Sequence, residues 1–577
     1  MPYYMKLGLL PRKRHVQFRR PDGCLYSEEL FGTEGFVGPT STMYHIHPPT
    51  QVYGWKPEYS TKVEYVERDI MRMRHLKSAP MKPHGDFVTG RVVLFGNADV
   101  EMAVINPAEQ MPYHFKNGQG DECLFIHFGS GVCHTMLGTL RFGPRDYLVM
   151  PKGVIYKVIW DDPHLLPRPA SMAKAGESQR LFELFSKAGG VTEAEVCSQM
   201  TLASGPSAGS PYTHQNFSDC IKELAEKHSV IVREIAPGRW RIQNPSFPPD
   251  VPFGKVLLIE TCNGSHIGPP PRYVSKTTSQ YLEHSPYCER DLKIPEFPLT
   301  WDEKGDHEVR IKARDQVHSY TYHYHPLDVV GWDGCYYPFV FNVADFSPIT
   351  GMLHMPPPIH QTFEAHNFVI CSFCPRMLDY HPQAIKVPYN HSNLDSDEVL
   401  YYVEGNFGSR KGIEIGSLTL HPQGIPHGPH PGTIEASLSA THTNELAVMC
   451  DTFRPLFPTK AALDIDDSNY PKSWQGEHFP GLSSGKMHLN GVPALQGPRS
   501  HGAWRTDHWR RNCLRFGDAL NGCGSDCGPS VAVAAPLCTP HGSRTEPSRY
   551  GPLSKSHASL VTRRFVKHLT DKQACRT

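Results

Sequence analysis

The stretch from residue 388 to residue 429, PYNHSNLDSDEVLYYVEGNFGSRKGIEIGSLTLHPQGIPHGP, decides both the fold and the chemistry of this chain. It holds His391, then Glu398, then His427 after two strand-like runs. Two imidazoles and one carboxylate are the ligand set of a non-haem Fe(II) facial triad, which leaves adjacent positions open for a chelating substrate and O2. LYYVEGNF alternates apolar residues at strand period and breaks at Gly405. IEIGSLTLHP is a second strand-like run, and IPHGPHPG is a turn-rich stop. A strand, a turn and a return strand would bring His427 back to His391 and Glu398.

Working outward, an earlier stretch repeats this one. YHFKNGQGDECLFIHFG (113–129) aligns without a gap on YNHSNLDSDEVLYYVEG (389–405). GPRDYLVMPKG aligns on GSLTLHPQGIPHG with small gaps. Such an internal repeat predicts two barrels of one kind. In the first copy Glu122 matches Glu398, Phe115 falls where His391 falls, and Lys152 is matched to His427. A phenyl ring cannot ligate and an ammonium repels a divalent cation, so the first barrel is expected to be metal-free and structural. His114 is one residue out of register, which on a strand means the opposite face.

The pattern H-x-N-x4-E-x6-G followed by P-H-G resembles the two sequence blocks of a cupin barrel. More closely, His391, Glu398 and SLTLHPQGIPHGP resemble the iron site of the homogentisate 1,2-dioxygenase family. The resemblance covers roughly residues 1–160 and 254–475. It implies a mainly β chain with two jelly-roll cupin barrels in tandem, the first metal-free and the second holding Fe(II) through His391, Glu398 and His427. It implies a small aromatic substrate and O2, ring cleavage of homogentisate to maleylacetoacetate in tyrosine and phenylalanine catabolism, and a trimer- or hexamer-type homo-oligomer. His421, six residues before His427, and Asn393, two after His391, are expected beside the ligands, orienting them. His427 and Phe407 are expected to meet the substrate, and His430 to lie at the pocket rim. Phe407 stands where the family has a Tyr, so the ring wall is kept and a hydroxyl donor is lost. Asp333, in GWDG, stands where well-known eukaryotic members carry a His taken as general base. Asp333 is therefore expected to be the catalytic base; His323 and His325 could substitute for it but read first as strand histidines. These two departures keep open a related substrate such as gentisate. A non-catalytic bicupin scaffold is the reading from another class.

With 577 residues the chain is long enough for three or four domains. The expected division is 1–162 plus 254–300 for the first barrel and linker, 301–476 for the second barrel, an insertion at 163–253, and a disordered tail at 477–577. The insertion opens on the linker HLLPRPASMAKAGES. Helical pattern follows in RLFELFSKA, after a capping box at Thr192–Glu195, and in FSDCIKELAEKH; SVIVREI and RWRIQ read as a hairpin. That order resembles a small winged-helix module, but the segment is not strongly basic, so nucleic acid is not its expected partner. The tail rises in Gly, Ser and Arg and loses hydrophobic periodicity. Its Cys523, Cys527, Cys538 and His541 are too irregularly spaced for a zinc knot.

Lys plus Arg equals Asp plus Glu at 58 each, so net charge points to neither nucleic acid nor an anionic membrane. No apolar run reaches the length of a membrane span, and the N-terminus does not read as a signal peptide. Sixteen cysteines in so long a chain point to a reduced, cytoplasmic setting. Cys371 and Cys374 read as core residues, and Cys288 with His284 as a surface turn. His45 and His47 alternate as strand residues but have no third ligand at useful spacing.

Overall fold

The computed structural model describes residues 3–161, 253–296 and 298–475, with the shorter pieces 191–192, 194, 196, 221–222, 231–236 and 239–243. Two β barrels follow one another, and their principal sheets have the same strand order. In the first, Arg91–Gly96, Val100–Ile105, Lys255–Thr261, Glu122–Phe128 and Asp146–Met150 lie side by side. In the second, the order is Gln361–Ala365, Phe368–Phe373, Leu446–Thr452, Asp397–Glu404 and Leu418–His421. Tandem cupin barrels are therefore what the alternating apolar strands build. Each central strand is buried on the face toward the core, as with Leu124 and Ile126 in one barrel and Val399 and Tyr401 in the other.

The two barrels exchange strands. Phe339–Asn342, from the second half of the chain, pairs with Asp146–Met150 of the first barrel. Arg74–Leu76, from the first half, pairs with Leu418–His421 of the second. Two main apolar cores result, one centred on residues such as Phe115, Tyr156 and Trp332, the other on Phe363, Tyr401 and Leu420.

Register corrects one expectation. Glu122 pairs with Met150 as Glu398 pairs with His421. From those anchors MPKGVIY (150–156) runs on HPQGIPH (421–427) without a gap, and the counterpart of His427 is Tyr156, not Lys152. The pairing of Phe115 with Tyr156 matches the bridge between His391 and His427. The gapped alignment failed because it matched glycines rather than strand register. Lys152 instead donates from Nζ to Gly264 O at 2.8 Å.

Within the insertion, Ile231–Ala236 and Arg239–Gln243 pair antiparallel, with Val191–Thr192 as a third strand. The expected helices there fall almost entirely outside the described residues, as does the tail with Cys523, Cys527, Cys538 and His541. Among the described residues no helix is long and apolar enough to cross a membrane.

Candidate metal centre

Glu398 opens the strand Asp397–Glu404, and His391 and His427 face each other across a two-way backbone bridge. His391 N–H donates to His427 O at 2.8 Å, and His427 N–H to His391 O at 2.9 Å. This bridge needs close backbone approach. A Cβ on Gly428 would stand 2.8 Å from Asn390 Cα, which explains a glycine directly after His427. At the other end of the strand Gly405 has φ +89, and a Cβ there would meet Asn444 O at 2.1 Å.

The ligand atoms of His391, Glu398 and His427 all lie within 4.8 Å of one another; among the described residues no other group of three or more His, Cys, Asp or Glu is so placed. His391 Nε2 is 3.7 Å from Glu398 Oε2, and His427 Nε2 is 3.8 Å from Glu398 Oε1. Both imidazoles donate Nδ1–H to a nearby main-chain carbonyl, His391 to Tyr389 O at 2.9 Å and His427 to Ile425 O at 3.0 Å. That fixes the tautomer and turns each Nε2 lone pair toward the carboxylate. His427 Nε2 is buried with no hydrogen-bond partner. A buried, unpartnered lone pair facing a carboxylate is costly unless a cation stands between them. The donor set therefore fits a divalent metal with mixed nitrogen and oxygen preference.

His421, fully buried, supports the carboxylate: its Nδ1 donates to Glu398 Oε1 at 2.7 Å, and Tyr470 O–H donates to its Nε2 at 3.1 Å. Burial pushes His421 down to about 4 against the pull of Glu398, so the ring is neutral at pH 7. Burial pushes the Glu398 carboxyl up, but the adjacent His391, the hydrogen bond from His421 and the nearby His427 prevail and hold it well below the usual range. His391 is raised by the Glu398 carboxylate beside it.

A cavity of about 580 Å3 opens beside the triad, and His391 and Glu398 line it. Strand alternation adds Leu400 and Tyr402 to the same wall. Phe407 lies in this wall, packed on Tyr402 at 4.7 Å between ring centroids. Arg410 also lines the cavity. Its Nη1 donates to Gly428 O at 2.6 Å, its guanidinium lies over Trp474 at 5.6 Å, and its Nε is buried without a partner. The sequence reading missed Arg410; the signal was a lone Arg in the turn three residues after Phe407.

Asp333, Asn393 and His430 lie elsewhere than expected. Asp333 does not line the cavity: its strand, Val329–Gly334, pairs with Met5–Gly8 and Thr40–His45, and its carboxylate takes Arg14 at 3.1 Å and Tyr4 O–H at 2.7 Å. The preceding Trp332 anchors that strand on the first barrel, donating from Nε1 to Leu137 O at 2.7 Å. His325 is buried beside His114 in the first barrel with the exposed Trp301 stacked on it, and His323 stacks on Tyr53. Asn393 has an exposed side chain and contributes only its main-chain carbonyl, which accepts from Gly424 N–H. His430 is not at the rim; it is buried behind the cavity, accepting from Lys411 N–H and meeting Ser473. His45 is no ligand but a buried ion-pair centre between Asp328 at 2.8 Å and Glu29 at 3.0 Å.

Comparison with known proteins agrees with this geometry. Residues 340–479 match the family described as Homogentisate 1,2-dioxygenase C-terminal. A provisionally named dioxygenase of Saccharolobus solfataricus is 31% identical over 480 residues, covering 82% of this chain and 99% of its own. Homogentisate 1,2-dioxygenase of Rhizobium rhizogenes is 29% identical over 208 residues, 32% of this chain and 44% of that protein, so this chain spans under half of that relative. Salicylate 1,2-dioxygenase of Pseudoaminobacter salicylatoxidans, a solved structure with gentisate, covers 71% of this chain and 86% of its own at 11% identity, with a TM-score of 0.19 too low to bear on the fold.

Proposed function

The chain belongs to the homogentisate 1,2-dioxygenase family, and from that premise we propose that it is an Fe(II)-dependent dioxygenase that opens the ring of homogentisate or of a close dihydroxy-aromatic acid such as gentisate. The observation that carries this reading is the pair of Nε2 lone pairs turned on Glu398, one of them buried and unpartnered, at the edge of a cavity. His391, Glu398 and His427 would hold the iron, which when bound supplies the redox chemistry that lets O2 react with an electron-rich ring.

The protein's own groups divide the remaining work. Arg410, with an unused buried N–H, is suited to the substrate carboxylate, a pairing that a desolvated guanidinium makes strongly. Phe407, Tyr402 and Leu400 offer a dry apolar wall for the ring. His421 and Tyr470 hold Glu398 in place. A phenol of pKa about 10 must lose its proton to react. His354 lines the cavity, its ring 5.1 Å from that of Tyr389, which flanks His391, and its Nδ1 is 3.8 Å from Asp379. Burial lowers His354, which keeps it neutral and able to accept that proton at Nε2, the role expected of Asp333. The same reading makes the enzyme a cytoplasmic homo-oligomer; the cysteines among the described residues are free thiols.

The test is anaerobic loading with Fe(II) followed by homogentisate or gentisate and air. One iron per chain and a new ring-opened chromophore with either acid is expected. A protein that binds no iron, or binds iron and leaves both acids and a wider panel of hydroquinone acids intact, would overturn the proposal.

A further inference from the structure

The cavity has a second polar end that ring cleavage of a small acid does not use. Tyr402, Ala447 and Phe373 lie opposite one another on adjacent strands, so they form one row across the sheet. Tyr402 is four residues beyond Glu398 on the same strand, which puts that row about 13 Å along the strand from the triad. At the Phe373 end of the row stand His360 and Arg376, both in the cavity wall. The His360 ring packs on Phe373 at 4.5 Å, and the Arg376 guanidinium lies 5.9 Å from the same ring.

His360 is 4% exposed, and its Nδ1 is buried with no hydrogen bond. Arg376 donates from Nη1 to Cys374 O at 3.2 Å and reaches Glu445 only at 3.4 Å. Burial raises the Glu445 carboxyl, with Arg376 opposing. Between the two ends the lining is apolar, with Leu400, Ala447 and Met449. A volume of about 580 Å3 belongs to sites for drug-sized ligands, and a single dihydroxybenzoate fills only part of it.

We propose that the substrate is an extended aromatic acid: its hydroquinone ring lies at the His391/Glu398/His427 end, and an apolar arm carries a second carboxylate to Arg376, beside His360. The inference rests on the ring-cleavage reading for which end the ring occupies. An arm of about five methylenes spans the distance. The probes are 2,5-dihydroxybenzoate and two derivatives with such an arm on C4, one ending in carboxylate and one in methyl.

Binding to Fe(II)-loaded protein is measured anaerobically by calorimetry, and turnover by O2 uptake. The carboxylate-ended probe is expected to bind at least about tenfold tighter than the methyl-ended one. Arg376→Leu should abolish that preference, while Arg376→Lys retains part. Equal or tighter binding of the methyl-ended probe to the unmodified protein overturns the inference without any variant. A preference that survives Arg376→Leu, or failure of all three probes to bind, also overturns it. An Arg376-dependent preference without O2 uptake would sustain the second polar end and sink the ring-cleavage reading instead.

Discussion

Glu122 and Glu398 occupy the same place in two barrels, and the barrels neutralise them in opposite ways. Each faces an acid on the neighbouring strand, Glu260 in the first barrel and Asp451 in the second. In the first barrel Arg91 reaches Glu122 at 2.6 Å and the Tyr156 phenol oxygen at 3.1 Å, and its guanidinium lies 5.2 Å from the Phe115 ring. Phe115, Glu122 and Tyr156 are the counterparts of His391, Glu398 and His427, so the guanidinium stands in the position of the second barrel's triad centre. Asn117 and Tyr156 complete the shell at 2.9 and 2.7 Å, and Lys312 meets Glu260 at 2.6 Å. Burial pushes Glu122 up, but Arg91 prevails and holds it ionised. A buried carboxylate needs a cation. The first barrel carries its own and is closed; the second offers lone pairs instead and opens onto a cavity.

The largest effect should come from emptying the second centre. His427→Ala is expected to bring iron content and O2 uptake to background while unfolding stays cooperative. Metal analysis beside an oxygen electrode checks this, and retained iron with full uptake would break the contrast. In the first barrel Arg91→Ala should leave metal binding intact yet lower stability by about 3–5 kcal/mol, because Glu122 is left charged and alone. Urea unfolding measures that loss, and Arg91→Met with Glu122→Gln should recover much of it.

The internal ion pairs beside the first barrel also predict a pH dependence. Burial works against a charged His45, but Asp328 and Glu29 raise it to about 9. The unfolded value is about 6.5. His45 therefore binds its proton more tightly in the folded state, and its contribution is complete below pH 6.5 and lost as pH rises through 9. The loss is roughly 3 kcal/mol. His45→Gln should flatten that part of the stability profile measured by urea unfolding.

Smaller effects sharpen the second centre. His421→Phe removes the support of Glu398 and should weaken iron binding about 10–100-fold in competitive chelation. Asp333→Asn should cost under about 1 kcal/mol of stability, since its partner Arg14 is half exposed, and leave kcat/KM nearly unchanged. A large loss of kcat would restore Asp333 as the base.

What could be read from the chain follows from how locally each feature is encoded. The triad and both barrels were legible because strand alternation and an ungapped repeat carry them within short stretches. Lys152 was mistaken for the counterpart of His427 because the second half of the repeat was matched on glycines; strand register puts Tyr156 there. Arg91, 31 residues before Glu122, had no local signal, since its role exists only once two strands of one sheet are brought together. Asp333 misled because GWDG lies on a strand held to the first barrel by Trp332, away from the cavity. His360 and Arg376 likewise come to one cavity end only because Ala447 pairs with Phe373 on one side and Tyr402 on the other.

The central claim is that the second barrel holds the iron that cleaves an aromatic ring. Its most direct test is O2 consumption by anaerobically Fe(II)-loaded protein given homogentisate and then gentisate, beside the His427→Ala variant. The account predicts one O2 consumed per ring opened with at least one of the acids, and none in the variant. Iron bound at one per chain by His391, Glu398 and His427, with no O2 consumed on any hydroquinone acid offered, would contradict it.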